Sequence, residues 1–307
     1  MTPGHPTILG TRGSRLALVQ AEECAAILRT AGIEVEIRII RTTSEHLPDT
    51  PLAVIDQRDV FTRQLDEALL SGEIDLAVHS LKDVPTDLPE EISLSAVTRR
   101  HDPSDVLVSD QQYTVDSLPH EAIVATSSLR RKAQLLHRRP DLDVVGIRGN
   151  VDTRVRKMRE GAADAVVLAH AGLERLGLDV PYTLIPPDVV LPAVGQGALA
   201  VATMRDHPLR EPVREALNHE PTEKAVLAER AMLRALEGGC RVPVGATSEM
   251  SGGMVRLGGL VISPDGALAY RGKAEGEEPE EVGKRLAFDL LKQGAAVVLG
   301  EVREVRQ

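Results

Sequence analysis

The sequence predicts two similar α/β units followed by a small α+β domain. Three observations carry that prediction. From Thr7 to Ala169, apolar runs of strand length alternate with segments of helical period, the pattern of parallel strands joined by helical crossovers. The alternation occurs twice, on either side of the polar, proline-marked stretch Arg99-Arg100-His101-Asp102-Pro103. Beyond about Glu220 the order changes to helix, strands and a last amphipathic helix. The expected boundaries are 1–98 with 197–216, 103–191, and 220–307.

In the first unit Thr7-Ile8-Leu9-Gly10 reads as a strand and Thr11-Arg12-Gly13-Ser14 as the turn after it. Leu16, Val19, Cys24 and Ile27 then share one helix face within an arc of roughly 140°. Gly32 ends that helix, and Val35, Ile37 and Ile39 alternate as a strand, completing βαβ. Phe61, Leu65, Ala68 and Leu69 mark a second helix, stopped by Gly72. The strand Ile74–Val78 delivers His79-Ser80-Leu81-Lys82-Asp83-Val84-Pro85 to its carboxyl end, where open α/β sheets place ligands. Further strands are expected at Ile92–Val97 and Asp105–Val108.

The second unit repeats the scheme. A strand at 122–126 feeds a helix at 128–139, which Pro140 stops, and Leu142–Ile147 is the next strand. Arg148-Gly149-Asn150-Val151-Asp152-Thr153-Arg154 turns into a helix that ends near Gly161, and Asp164–Ala169 is a buried strand. Leu191–Val201 reads as a chain return, with glycines where backbone must pass closely. In the third region Thr222–Leu236 is a helix closed by Glu237-Gly238-Gly239. Met254–Ile262 and Ala267–Ala274 are strands joined across Ser263-Pro264-Asp265-Gly266, a turn by composition, and Glu277–Gln293 is the last helix.

Composition narrows the function. The 307 residues include two Phe, three Tyr and no Trp, too few aromatics for platforms that stack single-stranded bases. A net charge of -10 disfavours nucleic acid and anionic membranes as partners. Residues 127–160 depart from that balance, with ten Lys/Arg against four Asp/Glu. Lysines number seven among the 36 basic residues, and arginine suits bidentate grip on carboxylate or phosphate. Cys24 and Cys240 are far apart and lack CxxC spacing, so neither a zinc site nor a disulfide framework is indicated. The first residues have neither a basic nor an apolar signal region, and no run approaches a membrane span, so a cytoplasmic location is expected.

Four turns at strand ends offer cations or hydroxyls: 11–15, 80–85, 126–132 and 148–154. Singly, each has an ordinary reading. Ser127–Lys132 is also a Ser-capped helix with a solvated basic turn, Asp83 a turn residue, and Cys240 a structural thiol. Four together in two similar units point to a shared cleft for a ligand with several negative charges. In it, Asp83 at a strand head can hold N–H donors or carry protons. Cys240, between Gly-Gly and Arg241, has the surroundings that free a thiol nucleophile.

These segments resemble the porphobilinogen deaminase family, also called hydroxymethylbilane synthases, nearly end to end. The carriers are Thr11–Ser14, Val78–Pro85, Ala125–Arg131, Arg148–Arg154, Leu191–Ala198 and Glu237-Gly238-Gly239-Cys240-Arg241-Val242-Pro243. The resemblance implies a three-domain cytoplasmic transferase, monomeric, with two domains similar to periplasmic anion-binding proteins. It implies a dipyrromethane cofactor held by thioether on Cys240, onto which four porphobilinogens condense head to tail with loss of ammonia. Water then releases hydroxymethylbilane.

By motif position Asp83 is the catalytic residue. Lys82, Asp83, Thr126, Ser128, Arg130, Arg131 and Arg154 are implied for the cofactor. Arg12, Ser14, Arg148, Arg175, Gln196 and Arg58 are implied for porphobilinogen and the growing oligopyrrole chain. No metal, nucleic acid or membrane partner is implied. The chain departs from the family at Val54–Phe61, where acids replace the glycines that commonly flank a lysine and Arg58 keeps the cation. It also has Ala125 where glycine is common and Arg15 where proline is common. A non-catalytic binder of a polyanion is the rival reading, but it has no use for a cysteine-bearing third domain.

Overall fold

The computed structural model describes residues 6–41, 62–236 and 243–304. The expected helix residue Phe61, the helix stop Glu237–Gly239, Arg58 and Cys240 lie outside them. The chain divides into two units, 1–100 with 198–223 and 101–197 with 224–307.

The first unit opens with β1 (Thr7–Thr11), α1 (Arg15–Thr30) and β2 (Val35–Ile39), then α2 (Arg63–Leu70), β3 (Leu76–Ser80) and β4 (Ile92–Val97). The second unit begins with β5 (Asp105–Val108), β6 (Ile123–Ala125), α3 (Leu129–Arg138), β7 (Asp143–Val145) and α4 (Val151–Lys157). It continues through β8 (Ala165–Ala169), α5 (His170–Leu176) and β9 (Tyr182–Ile185). The chain then returns to the first unit for β10 (Leu199–Met204) and α6 (Arg210–Leu217).

The first sheet has the order β2-β1-β3-β10-β4 and the second β7-β6-β8-β5-β9. The two orders describe one topology. In each, three strands run parallel and the fourth antiparallel to both its neighbours. In each, that fourth strand comes from chain that has just left the other sheet, since β4 leads to β5 and β9 leads to β10.

Period-two alternation makes each sheet apolar on both faces. In the first, Leu76 and Val78 join the cluster of Cys24, Ala25 and Leu28 from α1. Ala77 between them joins Leu65 and Leu69 of α2. In the second, Val124 and Val167 pack with Leu135 of α3, while Ala125 and Val166 pack with Val155 of α4. Cys24 is fully buried, the core role expected of it.

The expected face of α1 needs correction. The helix buries Gln20, Ala21, Cys24, Ala25 and Leu28, while Ile27 is 43% exposed. Two alanines and a cysteine let the helix lie close to the sheet, so the small side chains set the contact face. Ile39 is likewise 52% exposed, because β2 is an edge strand. The expected chain return over 191–201 runs into β10, which is buried along nearly its whole length. Small residues after two glycines masked it, although the run Leu-Ala-Val-Ala-Thr-Met is apolar enough for a central strand.

The last region starts with α7 (Glu220–Ala235) and holds β11 (Val244–Ser251), β12 (Met254–Ile262) and β13 (Ala269–Gly276), an antiparallel sheet in that order. α8 (Pro279–Leu290) and α9 (Ala296–Glu304) complete it. The helix expected over 277–293 forms from Pro279, and the chain kinks at Gly294, which takes φ +119°, before α9. Met232, Val255, Leu257, Leu286, Leu290 and Val298 form the core. The turn at Ser263–Gly266 forms as expected, with Gly266 at φ +78°. A Cβ there would stand 2.6 Å from Ala133 O, so the turn rests on the backbone of α3 only as glycine.

Candidate functional site

β1 and β3 are parallel neighbours, so their carboxyl ends share one edge of the first sheet. β1 leads to Arg12 and to Ser14, the N-cap of α1, whose Oγ accepts from Ala17 N at 3.3 Å. Buried Thr11 donates from Oγ1 to Ala17 O at 3.1 Å, fixing the same turn. β3 leads directly into one tight turn, Leu81–Asp83, anchored by buried Leu81. Gln20 of α1 donates to Ser80 Oγ at 2.9 Å, so helix and turn move together. Lys82 and Asp83 follow, both half-buried. Among the described residues the Asp83 carboxylate takes part in no hydrogen bond or ion pair.

His79, one step before this turn, is buried. Its pKa falls from 6.5 to about 4, because burial disfavours the imidazolium and the Arg12 charge opposes it further. At neutral pH it is an uncharged core residue.

In the second sheet β6, β7 and β8 are parallel, and their carboxyl ends again share an edge. β6 leads to Thr126, Ser127 and Ser128, and Ser128 caps α3, its Oγ accepting from Arg131 N at 3.5 Å. Thr126 is buried and accepts from Ser128 N at 3.2 Å. Ser127 donates to Ile147 O at 2.5 Å and accepts from Ile147 N at 3.1 Å, tying this turn to the one after β7. That turn carries Arg148 and then Gly149, at φ +111°. A Cβ on Gly149 would lie 2.6 Å from Thr153 Cγ2. Arg154 donates from Nε to Gly149 O at 2.7 Å, and Arg175 on α5 donates to Gly197 O at 3.3 Å.

Three of the expected ligands are buried side chains. Arg130, Arg131 and Gln196 are buried, at 7%, 6% and 1% exposure. Both arginines pair with Asp105, itself fully buried, at 2.8 and 2.7 Å. Gln196 donates to Asp105 Oδ1 at 2.8 Å and to Pro103 O at 2.6 Å. Its amide braces the inside of the unit. The two arginines keep donors beyond those that Asp105 takes, and Arg131 Nε is buried with no hydrogen-bond partner.

Asp105 is the residue that sequence reasoning missed, having been read as the first residue of a strand. Its burial would raise its pKa, but the charges and hydrogen bonds of Arg130 and Arg131 hold it well below the usual carboxylate range. A buried acid opening an apolar strand was the available signal, since such a charge needs a partner.

The donor set suits carboxylates. Hydroxyls at two helix N-caps, an ammonium and several guanidiniums lie at the carboxyl ends of the parallel strands in each unit, and an unsatisfied buried Arg131 Nε–H is a donor awaiting an acceptor. A group bearing acetate and propionate side chains fits that chemistry. Among the described residues no three His, Cys, Asp or Glu are grouped to hold a metal ion.

Two family models match the chain. One, described as "Porphobilinogen deaminase, dipyromethane cofactor binding domain", matches residues 7–211, and the other, "Porphobilinogen deaminase, C-terminal domain", matches 224–292. A porphobilinogen deaminase of Rubrobacter xylanophilus is 68% identical over 97% of this chain and 98% of its own length. Those of Shouchella clausii and Syntrophomonas wolfei are 47% and 45% identical, each over 96% of this chain and 97% and 98% of their own lengths. Among solved structures, a periplasmic substrate-binding protein from Coxiella burnetii is similar over 73% of this chain and 96% of that one, at 16% identity and a TM-score of 0.44.

Proposed function

We propose a division of labour for this chain, which belongs to the porphobilinogen deaminase family: Asp83 carries the chemistry, and the arginine-bearing turns hold carboxylates. The enzyme is a transferase that condenses four porphobilinogens head to tail, losing an ammonia each time, and releases hydroxymethylbilane by hydrolysis. The observation that carries the assignment of Asp83 is its place. It sits in the tight turn at the carboxyl end of β3, half-buried, beside Lys82.

Porphobilinogen reacts by breaking the C–N bond of its aminomethyl group. Ammonia leaves with the bonding electrons, and the remaining cation is delocalised over the pyrrole ring and its N–H. Asp83 stabilises that cation through its charge and accepts the pyrrole N–H as a hydrogen bond. It is also the base for the proton that is lost when the new C–C bond has formed. When bound, the dipyrromethane supplies the free ring carbon that captures the cation.

Cys240 is the thioether anchor in this reading, and Lys82, Thr126, Ser128, Arg130, Arg131 and Arg154 hold the carboxylates of the cofactor and of the rings added to it. Arg12, Ser14, Arg148 and Arg175 hold those of porphobilinogen and the growing chain, with Arg58 as a further cation. Each added ring brings two carboxylates, and charge-assisted, bidentate grips are the matching answer. Lys82 and Arg154 serve as point and fork of the same charge. The reading includes the three-domain division 1–98 with 197–216, 103–191 and 220–307, and a cytoplasmic monomer. Among the described residues no helix is long and apolar enough to cross a membrane.

The test is the mass of the purified protein followed by peptide mapping. The expected result is two pyrrole units above the sequence mass, all on the Cys240 peptide. An unmodified Cys240 in protein that consumes porphobilinogen would remove the cofactor assignment.

A further inference from the structure

Asp105 lies at the centre of a buried polar network. Its Oδ2 accepts from Arg130 Nη1 at 2.8 Å, and its Oδ1 accepts from Arg131 Nη2 at 2.7 Å and Gln196 Nε2 at 2.8 Å. The network continues through the same side chains. Arg130 Nη1 donates to Leu191 O at 2.6 Å, and Arg131 Nη1 to Val167 O at 3.0 Å. Gln134, one turn further along α3, donates to Leu191 O at 3.1 Å and accepts from Leu191 N at 2.7 Å. One carboxylate thus fixes the basic start of α3 against β5, β8 and the segment that precedes β10.

A carboxylate without solvent is costly unless paired and hydrogen-bonded. Here the pairing is complete, and it has two effects on the arginines. Their guanidinium planes are pinned by bonds on more than one nitrogen. The group of two cations and one anion also carries a net charge of +1, so Asp105 offsets part of the repulsion between the two adjacent cations. Arg131 Nε, the donor that this network leaves over, is buried and without a partner.

We propose that Asp105 is a positioning residue for carboxylate binding, fixing the stance and the combined charge of Arg130 and Arg131 before any ligand arrives. This inference rests on the reading of those arginines as carboxylate ligands. Free guanidiniums lose rotamer freedom on binding, whereas pinned ones have lost it on folding, so removing the pin weakens binding. Asp105 is remote in role from Asp83, which acts on the reacting ring, so the effect falls on KM more than on kcat.

The experiment uses the full chain carrying its cofactor, with porphobilinogen as substrate, and compares wild type, Asp105→Asn and Gln196→Leu. KM is a property of the folded molecules, whereas loss of folded protein lowers the apparent kcat, which separates positioning from stability. Asp105→Asn is expected to raise KM about tenfold with kcat within about threefold of wild type. Gln196→Leu, which keeps both ion pairs, is expected to raise KM about threefold. A folded Asp105→Asn with the wild-type KM overturns the proposal. If Asp105→Asn does not fold, Gln196→Leu decides: a raised KM supports it, and a wild-type KM overturns it. A wild type that fails to consume porphobilinogen overturns the functional reading together with this inference, whereas an unchanged KM in an active series overturns this inference alone.

Discussion

The two five-stranded sheets share a strand order and place their turns at corresponding edges, yet they furnish those edges differently. In the first, β3 ends in Asp83, whose carboxylate has no hydrogen bond or ion pair among the described residues. In the second, the corresponding parallel strand β8 ends in α5, and the acid that matters is Asp105, sealed under Arg130 and Arg131. One carboxylate is half-buried and unpaired among the described residues, and the other is locked into a scaffold. The contrast teaches that topology supplies equivalent positions, while burial and pairing decide which carboxylate is left unpaired.

The largest effect expected from breaking that contrast is at Asp83. Asp83→Asn keeps its shape and loses its charge, so kcat should fall by about three orders of magnitude, the range of a lost acid–base group. The thermal midpoint should move little, since Asp83 is half-buried and unpaired among the described residues. Steady-state porphobilinogen consumption beside a melting curve checks both. A wild-type kcat would remove Asp83 from its role.

Next in size is a pH effect on stability at His79. Its pKa is about 4 in the fold against 6.5 in the unfolded chain, so between those values the unfolded state binds more protons. The contribution is fully present above pH 6.5 and is lost as pH falls toward 4, amounting to about 3 kcal/mol. Denaturant midpoints at pH 7.5 and pH 4.5 should show the loss in wild type, and His79→Gln should flatten it. Asp105 acts with the same sign at lower pH. Its folded pKa is depressed, so its contribution is intact above the ordinary carboxylate range and declines as pH falls below about 4.

A smaller effect is expected where the C-terminal sheet meets α3. Gly266→Ala forces a Cβ against Ala133 O at a positive φ, which should cost about 1–3 kcal/mol of stability. The smallest belongs to the caps: Ser128→Ala removes the N-cap of α3 and should cost about 1 kcal/mol. Urea titrations rank the two, and reversal of that order would mean that the α3 cap outweighs the Gly266 contact.

Much of this arrangement was legible in the sequence. β4, β5 and β12 fall where apolar runs place them, because continuous or alternating hydrophobicity fixes a strand whatever its partners. The turns bearing Arg12, Lys82, Arg148 and Arg154 follow from strands that end in polar segments, glycine-bearing at Gly13 and Gly149 and proline-ended at Pro85. What stayed hidden depends on contacts distant in sequence. β10 is a central strand only because β3 and β4 flank it, 102 or more residues away. The exposed side chains of β9 and the short α5 and α6 gave no clear period. Nothing local distinguishes the buried Arg130 and Arg131 from solvated cations, since the difference lies in Asp105, 25 residues before Arg130.

The central claim is that Asp83 carries the chemistry while the arginine-bearing turns hold carboxylates. Steady-state kinetics of Asp83→Asn and Arg154→Ala on cofactor-bearing protein test it most directly. The account predicts a collapse of kcat with little change in KM for the first, and a KM raised about tenfold with kcat largely kept for the second. The opposite assignment, with kcat lost at Arg154 and only KM raised at Asp83, would contradict it.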